Sequence, residues 1–372
     1  MYLFKNILAK RLKEKKSEKE ASFNFYYLAL SLFYSLSPNI SQKRKKTIHL
    51  IFTTFAVVNC INYFFMRTTR RWVLATFILC FLVIIAGGVV RTTQSGMGCP
   101  DWPKCFGKWI PPTNASELPA DFEKYLSKQD IDHTFNAYHT WIEYFNRLLG
   151  TLLGLFAIIQ TWLLFFKRRS ERRAYRLSLG FLVFVILTGL FGAMVVRLNL
   201  AHLSISVHLL FAIALVQIQL ALLLSLNSKL FSLTVDERVR KMVLLFLILL
   251  FCQSVLGTMV RMYVDDVSKS LRYDQRENWL ANDPLAFLIH RSFSWLVLAA
   301  ALFMAWYYRN IQAIKNKLFV LAAIIILSMF TGIVLFYTGM PAVAQPLHLL
   351  LASIAITQTA AILLQTKRFR IA

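Results

Sequence analysis

The sequence predicts an all-α membrane protein in which eight transmembrane helices form two tandem, parallel four-helix bundles. Three observations predict it: apolar blocks long enough to cross a bilayer, loops of alternating charge between them, and a repeat that relates the first four blocks to the last four. Hydrophobic residues make up 57% of the 372 residues and charged residues only 16%. Soluble domains carry about 25% charged residues, so the composition indicates a membrane protein.

A bilayer-spanning helix needs roughly 20 mostly apolar residues. Several apolar blocks reach that length with no acidic or basic residue near the centre. The predicted spans are 72–91, 143–166, 178–197, 204–226, 242–262, 285–307, 316–337 and 346–366.

The net charge of +24 comes largely from lysines and arginines in short loops, such as residues 167–176. No basic groove with interleaved aromatic residues accompanies them, so nucleic acid is not an expected partner. Lysine and arginine are enriched in cytoplasmic loops. This bias places both termini in the cytoplasm and the long acidic loops, 93–140 and 263–284, on the outside. The spans are therefore expected to be surrounded by membrane lipid.

The first 65 residues do not fit this plan. Segments 21–37 and 47–65 are apolar, but a membrane hairpin made of them would put Lys43–Lys46 on the outer face, against the charge rule. Met66 is followed by three arginines within five residues, as expected just inside a first span. We therefore expect residues 1–65 to be an extension outside the functional core, or functional translation to begin at Met66.

An internal repeat divides the core into a first bundle, residues 66–228, and a second bundle, residues 229–372. Each half contains four spans, so the two halves have the same orientation in the membrane. The matching segments are Gly87–Arg91 with Gly257–Arg261, Phe145–Arg147 with Ile289–Arg291, Leu187–Gly189 with Phe330–Gly332, and Val207–Leu210 with Leu347–Leu350.

Two histidines of the second half, His290 and His348, begin spans 6 and 8 at matching depth. Ionisable side chains inside a membrane are costly and are functional candidates by default. Imidazoles from two helices of one bundle can occupy both axial positions of a haem iron. The alternatives are a hydrogen bond between helices for each ring, or zinc, for which no third or fourth ligand is evident. The pair thus indicates a bis-histidine haem site.

The first half keeps His208 but has Asn146 where the repeat predicts a histidine. Glu143, Asn146 and Arg147 share one helical face, because residues three and four apart are neighbours on a helix. A carboxylate beside a half-ligated site indicates chemistry, and an ion pair with Arg147 is the alternative. His139, on the same face, either supplies the missing imidazole or belongs to an aromatic belt at the membrane interface.

These residues resemble those of a known family. The stretch from Gly87 to Gly107, GGVVRTTQSGMGCPDWPKCFG, is similar to the end of the first span and the outer loop of the haem A synthases. Glu143-x-x-Asn146-Arg147 resembles their Glu-x-x-His-Arg signature, and the remaining histidines match in order. The resemblance covers residues 66–366, which is nearly the whole eight-span core.

The resemblance implies a bacterial-type inner-membrane enzyme that oxidises the C8 methyl of haem O to a formyl group with molecular oxygen. It implies a haem b cofactor between His290 and His348, and the substrate haem in the first half on His208. Glu143 matches the glutamate considered catalytic, which would stabilise positive charge at the oxidised carbon. Implied partners are a haem O synthase in the same membrane and an electron donor, and a homo-oligomer is compatible with the resemblance.

The chain departs from the family at Asn146, because an amide is a poor ligand for iron. The substrate iron is then five-coordinate on His208, or His139 replaces the missing ligand. Cys99 and Cys105 match a cysteine pair of the family and would form a disulfide outside the cell, with two unpaired thiols as the alternative.

Three arginines stand at the outer ends of spans 1, 3 and 5, where they would pair with haem propionates or extend to the lipid headgroups. They are Arg91, Arg197 and Arg261. The alternative function is a dihaem b-type electron carrier without oxygenase activity. A transporter built from parallel repeats is disfavoured, because its helices would be broken at mid-membrane.

Overall fold

The computed structural model describes residues 42–126, 135–227, 233–282 and 284–368. The apolar segment 21–37 lies outside the described residues. The chain divides into two units, Met1–Thr68 and Thr69–Ala372. The second unit contains every residue of the predicted site.

Long helices account for most of the described chain, which confirms the all-α prediction. Eight of the helices in the described part are long and apolar enough to cross a membrane, and in the first of them the membrane segment begins at Cys60. They are α1 (Gln42–Thr92), α2 (Ala137–Phe165), α3 (Arg172–Arg197), α4 (His202–Ser225), α5 (Glu237–Ser270), α6 (Leu285–Tyr307), α7 (Lys315–Tyr337) and α8 (Ala344–Gln365). Two three-residue strands, β1 (Leu233–Val235) and β2 (Thr366–Arg368), pair in parallel.

Polar side chains lie between the helices and large apolar ones face outward, the reverse of a soluble bundle. Gln160 of α2 and Gln219 of α4 are fully buried and exchange amide hydrogen bonds of 3.1 and 2.8 Å. Gln219 also donates to the Val73 carbonyl of α1 at 2.9 Å. By contrast, Ile158 and Trp162 on the other side of α2 are exposed. This arrangement suits a hydrocarbon solvent, which cannot hydrogen-bond to polar groups.

Helices α2 to α4 and helices α5 to α8 pack in the order of the sequence. Helices α5, α6, α7 and α8 pack successively, and α8 returns to α5. In the first half α2 packs on α3 and α3 on α4, while α8 also contacts α4. This arrangement is consistent with two tandem bundles, and the boundary between residues 228 and 229 stays a prediction.

Four helices, α1, α2, α3 and α5, are clearly longer than predicted: α1 begins at Gln42 rather than at residue 72, and α3 begins at Arg172 rather than at residue 178. Helix α2 begins at Ala137 rather than at residue 143, because the Asn136 side chain caps it by accepting from the Tyr138 and His139 amides at 3.0 and 3.3 Å. Helix α5 ends at Ser270 rather than at residue 262. The additional turns contain Asp265, which forms ion pairs within the bundle, as described below. The first residues of the predicted acidic loop, 263–284, are therefore helical.

Candidate functional site

His290 and His348 face each other across the second half. Their ring centroids are 6.5 Å apart and the ring planes are inclined by 72°. If two imidazoles bind one metal ion through bonds of about 2 Å, the two bonded nitrogens lie about 4 Å apart. The distance between the ring centroids is longer, because each nitrogen also lies some distance from the centre of its own ring. The spacing therefore matches one metal ion held between the two rings.

One nitrogen of His348 is already occupied by the protein. Its Nδ1 lies 2.9 Å from the Ser328 carbonyl oxygen and 2.9 Å from Thr331 Oγ1. Such contacts fix the ring and leave Nε2 for a metal, as is usual for metal-bound histidines. His290 Nδ1 is buried without a hydrogen-bond partner, while Gln253 Nε2 donates to the His290 carbonyl at 3.2 Å. A buried nitrogen without a partner is costly, and a bond to a metal would satisfy it.

The residues fit a haem iron better than a bare metal ion. Within the described ranges, no group of three or more histidine, cysteine, aspartate or glutamate side chains could hold a metal. A structural zinc ion takes four protein ligands, whereas a porphyrin supplies four nitrogens and needs only two axial ones. The sequence-based preference for haem over zinc stays a prediction.

A cavity of about 740 Å³ is lined mainly by residues of the first half, with a smaller contribution from the second half that includes Asp265, Lys269 and Tyr273. Its volume falls within the usual range for small-molecule sites, about 300–1,000 Å³. All five residues predicted to serve the substrate line it, namely His139, Glu143, Asn146, Arg147 and His208. The structure thus brings this predicted group together around one space.

His208 stands in the cavity wall as the histidine predicted to hold a substrate iron there. Its ring is parallel to that of Phe191 within 10°, with centroids 6.3 Å apart. Its Nδ1 is buried and has no hydrogen-bond partner. The ring is therefore held by packing alone.

Glu143 and Arg147 form the ion pair that the sequence left as an alternative. Glu143 is 4% exposed, and its Oε1 accepts from Arg147 Nη2 at 2.5 Å. Its Oε2 accepts from the Cys99 amide at 2.6 Å. Arg147 also donates to the carbonyls of Cys99, Asp101 and Lys104 at 2.6, 2.6 and 3.0 Å. The pair therefore joins α2 to the loop that follows α1.

That loop is closed by a disulfide between Cys99 and Cys105, as predicted. The Asp101 carboxylate accepts from the Phe106 and Gly107 amides at 2.6 and 2.9 Å. Gly98 lies so close to α2 that an added Cβ would collide with the His139 carbonyl. Loop residues, including Trp102, Pro103 and Trp109, line the cavity. We call the side of the helices that carries this loop the disulfide face.

Asp265 is a site residue that the sequence did not single out. It is 8% exposed and pairs with Arg91 of α1, and its Oδ1 lies 2.9 Å from Arg261 Nε. One carboxylate thus pairs with two arginines, so the three side chains together keep one net positive charge. Arg91 and Asp265 line the cavity, whereas Arg197 is exposed and does not. The spacing of Arg261 and Asp265, four residues apart, was the signal available in the sequence.

Comparison with known proteins identifies the family of the chain. The sequence model of COX15-CtaA, described as a cytochrome oxidase assembly protein, matches residues 70–360. The chain is 25% identical over 331 residues to a protein named heme A synthase from Orientia tsutsugamushi, covering 74% of this chain and 90% of that one. It is 27% identical over 332 residues to a heme A synthase from Sphingopyxis alaskensis, covering 79% and 90%. A match to the Shewanella oneidensis heme A synthase, 29% identical, covers 41% of this chain and 44% of that protein.

Proposed function

Because the chain belongs to the COX15-CtaA family, we propose that it is a haem A synthase, which oxidises the C8 methyl of haem O to a formyl group. The observation that carries the proposal is the difference between its halves. One half has two histidines at the spacing of a single metal, and the other has a cavity lined by His208, His139 and the buried carboxylate of Glu143.

The second half would hold haem b as a resident cofactor. His290 and His348 would hold it, supported by the unpartnered Nδ1 of His290 and by the occupied Nδ1 of His348. When bound, the group would supply one-electron transfer. A haem held by two histidines would suit an electron relay.

The first half would hold haem O as substrate, with His208 as its axial ligand. The cavity has predominantly apolar walls, suited to a macrocycle, and polar groups at the disulfide face. Molecular oxygen is the co-substrate. Two successive hydroxylations would turn the methyl group into a hydrated aldehyde, which loses water to give the formyl group.

Glu143 would act as the catalytic carboxylate, and Arg147 would position it. Glu143 is held on both sides, by Arg147 and by the Cys99 amide, so it cannot rotate away from the cavity. A fixed carboxylate in a low-dielectric site stabilises positive charge that develops at the methyl carbon during oxidation. Residues of the disulfide loop line the same cavity.

The charge pattern supports a topology in which both termini lie in the cytoplasm of a bacterial inner membrane and the disulfide face lies outside. A disulfide between Cys99 and Cys105 persists in such an oxidising compartment. A haem O synthase in the same membrane would deliver the substrate, and a separate donor would supply electrons to the haem b.

The test is to produce the full chain in cells that make haem O but lack haem A, and to analyse extracted haems by chromatography. The expected result is haem A with the wild-type chain. Glu143→Gln should lower its yield by about a hundredfold, the usual effect of removing one electrostatic contact to a transition state. Glu171→Gln, at the start of α3 and with no side-chain cap hydrogen bond, is the matched control and should be neutral.

Two outcomes would contradict the proposal. A stable protein with a normal haem spectrum and no haem A would favour the dihaem electron carrier. Full activity of Glu143→Gln would leave the carboxylate with only its structural role toward the disulfide loop.

A further inference from the structure

Three histidines of the two sites, His208, His290 and His348, each rest on a glycine of the preceding helix. Glycine inside a helix costs about 1 kcal/mol relative to alanine, so a repeated glycine needs a packing reason. A Cβ added at Gly192, Gly257 or Gly332 would lie 3.1, 3.2 or 3.4 Å from the Cε1 atom of His208, His290 or His348, respectively. We call such a position a glycine seat: the missing side chain leaves room for an imidazole ring.

The remaining helix pair of the repeat, α1 and α2, has the glycine but no histidine at the corresponding position. Gly87 corresponds to Gly257 in the repeat, and Asn146 corresponds to His290. A Cβ added at Gly87 would meet nothing within 4 Å. Gly87 and Asn146 both line the first-half cavity. The seat is therefore present and empty.

The register of this correspondence is supported by the arginines that follow each glycine. Arg91 lies four residues after Gly87, and Arg261 lies four residues after Gly257. Both arginines pair with the same carboxylate, Asp265. The two glycines thus occupy equivalent positions below a shared ion cluster.

The asparagine adds a polar group to the empty seat. Asn146 Oδ1 is buried and has no hydrogen-bond partner, which is unfavourable unless a ligand supplies a donor. Gly150, one turn further along α2, also lines the cavity and has nothing within 4 Å of an added Cβ. The wall on this side is therefore open and offers one acceptor.

We propose that the Gly87–Asn146 side of the cavity is an open ligand site, which binds a small nitrogen heterocycle such as imidazole on the free face of a haem held by His208. The inference rests on the proposed function, which places a haem in the first half. The ring would occupy the Gly87 seat, bind iron through one nitrogen and donate its N–H to Asn146 Oδ1. The iron between His290 and His348 has no such open face.

Imidazole titration of the purified full chain, loaded with ferric haem at both sites, tests this inference. Before addition, the optical and electron paramagnetic resonance spectra should show one high-spin and one low-spin haem. Imidazole should convert the high-spin haem to low-spin and leave the other unchanged, so the second half serves as an internal control.

Three variants locate the ligand. Asn146→His should make both haems low-spin without imidazole, and should weaken the apparent imidazole affinity by about tenfold or more, because the ligand then competes with a resident ring. Gly87→Leu should fill the seat and abolish the response while the first haem stays bound and high-spin. Gly180→Leu is the matched control: it also has nothing within 4 Å, lies outside the cavity lining, and should respond like the wild type.

The inference is overturned if the wild-type first haem is already low-spin and indifferent to imidazole. If His139→Ala then converted that haem to high-spin, His139 would be its second ligand. In that case the inference would fail while the wild-type protein still made haem A, so the proposed function would stand. A wild-type protein that retains only one haem would instead defeat the placement of haem in the first half, and the proposed function with it.

Discussion

The two halves of this protein use the same helical repeat for opposite purposes. In the second half two histidine rings approach to 6.5 Å, and the chain holds one nitrogen of His348 in place. In the first half His208, whose Nδ1 has no hydrogen-bond partner, lines a cavity of about 740 Å³ together with His139. A site closed by two histidines suits a resident cofactor, whereas an open cavity suits a substrate that enters, reacts and leaves.

The position of the ring on its helix pair also differs between the halves. His348 rests on Gly332, but His208 rests on Gly192 and not on Gly189, the repeat counterpart of Gly332. Gly192 lies about one turn closer to the disulfide face. The histidine of the first half is thus shifted toward the loop that carries the contacts of Glu143.

The largest effects are expected when a histidine is removed from one half, because each variant should affect the haem of its own half only. His348→Ala removes one axial ligand, so the low-spin b-type absorption should disappear. His208→Ala should leave that absorption intact and abolish binding of a second haem, because it affects only the open half. Haem content and optical spectra of the two purified variants measure this, and loss of the b-type signal in His208→Ala would contradict the separation.

A smaller effect is expected when a glycine seat is narrowed. Gly257→Ala would place a Cβ 3.2 Å from His290 Cε1, and Gly332→Ala would place one 3.4 Å from His348 Cε1. Both rings should tilt, and the shift in the electron paramagnetic resonance g-values should be larger for Gly257→Ala. Gly180→Ala, with open space, should leave the spectrum unchanged. Equal, unshifted spectra in all three variants would show that the seats do not position the rings.

The smallest effect should come from the hydroxyl beside His348. Thr331→Val removes the contact at 2.9 Å from Nδ1 but leaves the Ser328 carbonyl. One hydrogen bond is worth about 1 kcal/mol, so the midpoint potential of the haem should move by tens of millivolts, at roughly 59 mV per tenfold change.

Thr188→Val is the control in the first half. The Thr188 hydroxyl donates to the Phe184 carbonyl at 2.7 Å. A potentiometric titration should therefore show no shift in this variant. A shift of equal size in both variants would assign the effect to general packing and not to the hydroxyl beside His348.

The sequence by itself determined the membrane class, the eight spans and the group of residues around the cavity. Apolar length and charge bias act locally along the chain, so they can be read without a fold. The disulfide also followed from the sequence, through the resemblance of the loop to a known family.

Only the tertiary structure decided which partners these residues take. Asp265 was read as a loop acid, yet it lies in α5 between two arginines, because Arg91 comes from a helix distant in sequence. The backbone carbonyls that fix Arg147 belong to a loop more than forty residues away. The glycine seats could not be predicted from the sequence either, because the contact between a glycine and an imidazole ring is known only once the two helices are placed in space. Pairing and steric fit depend on distances between helices, and those distances are not encoded in local periodicity.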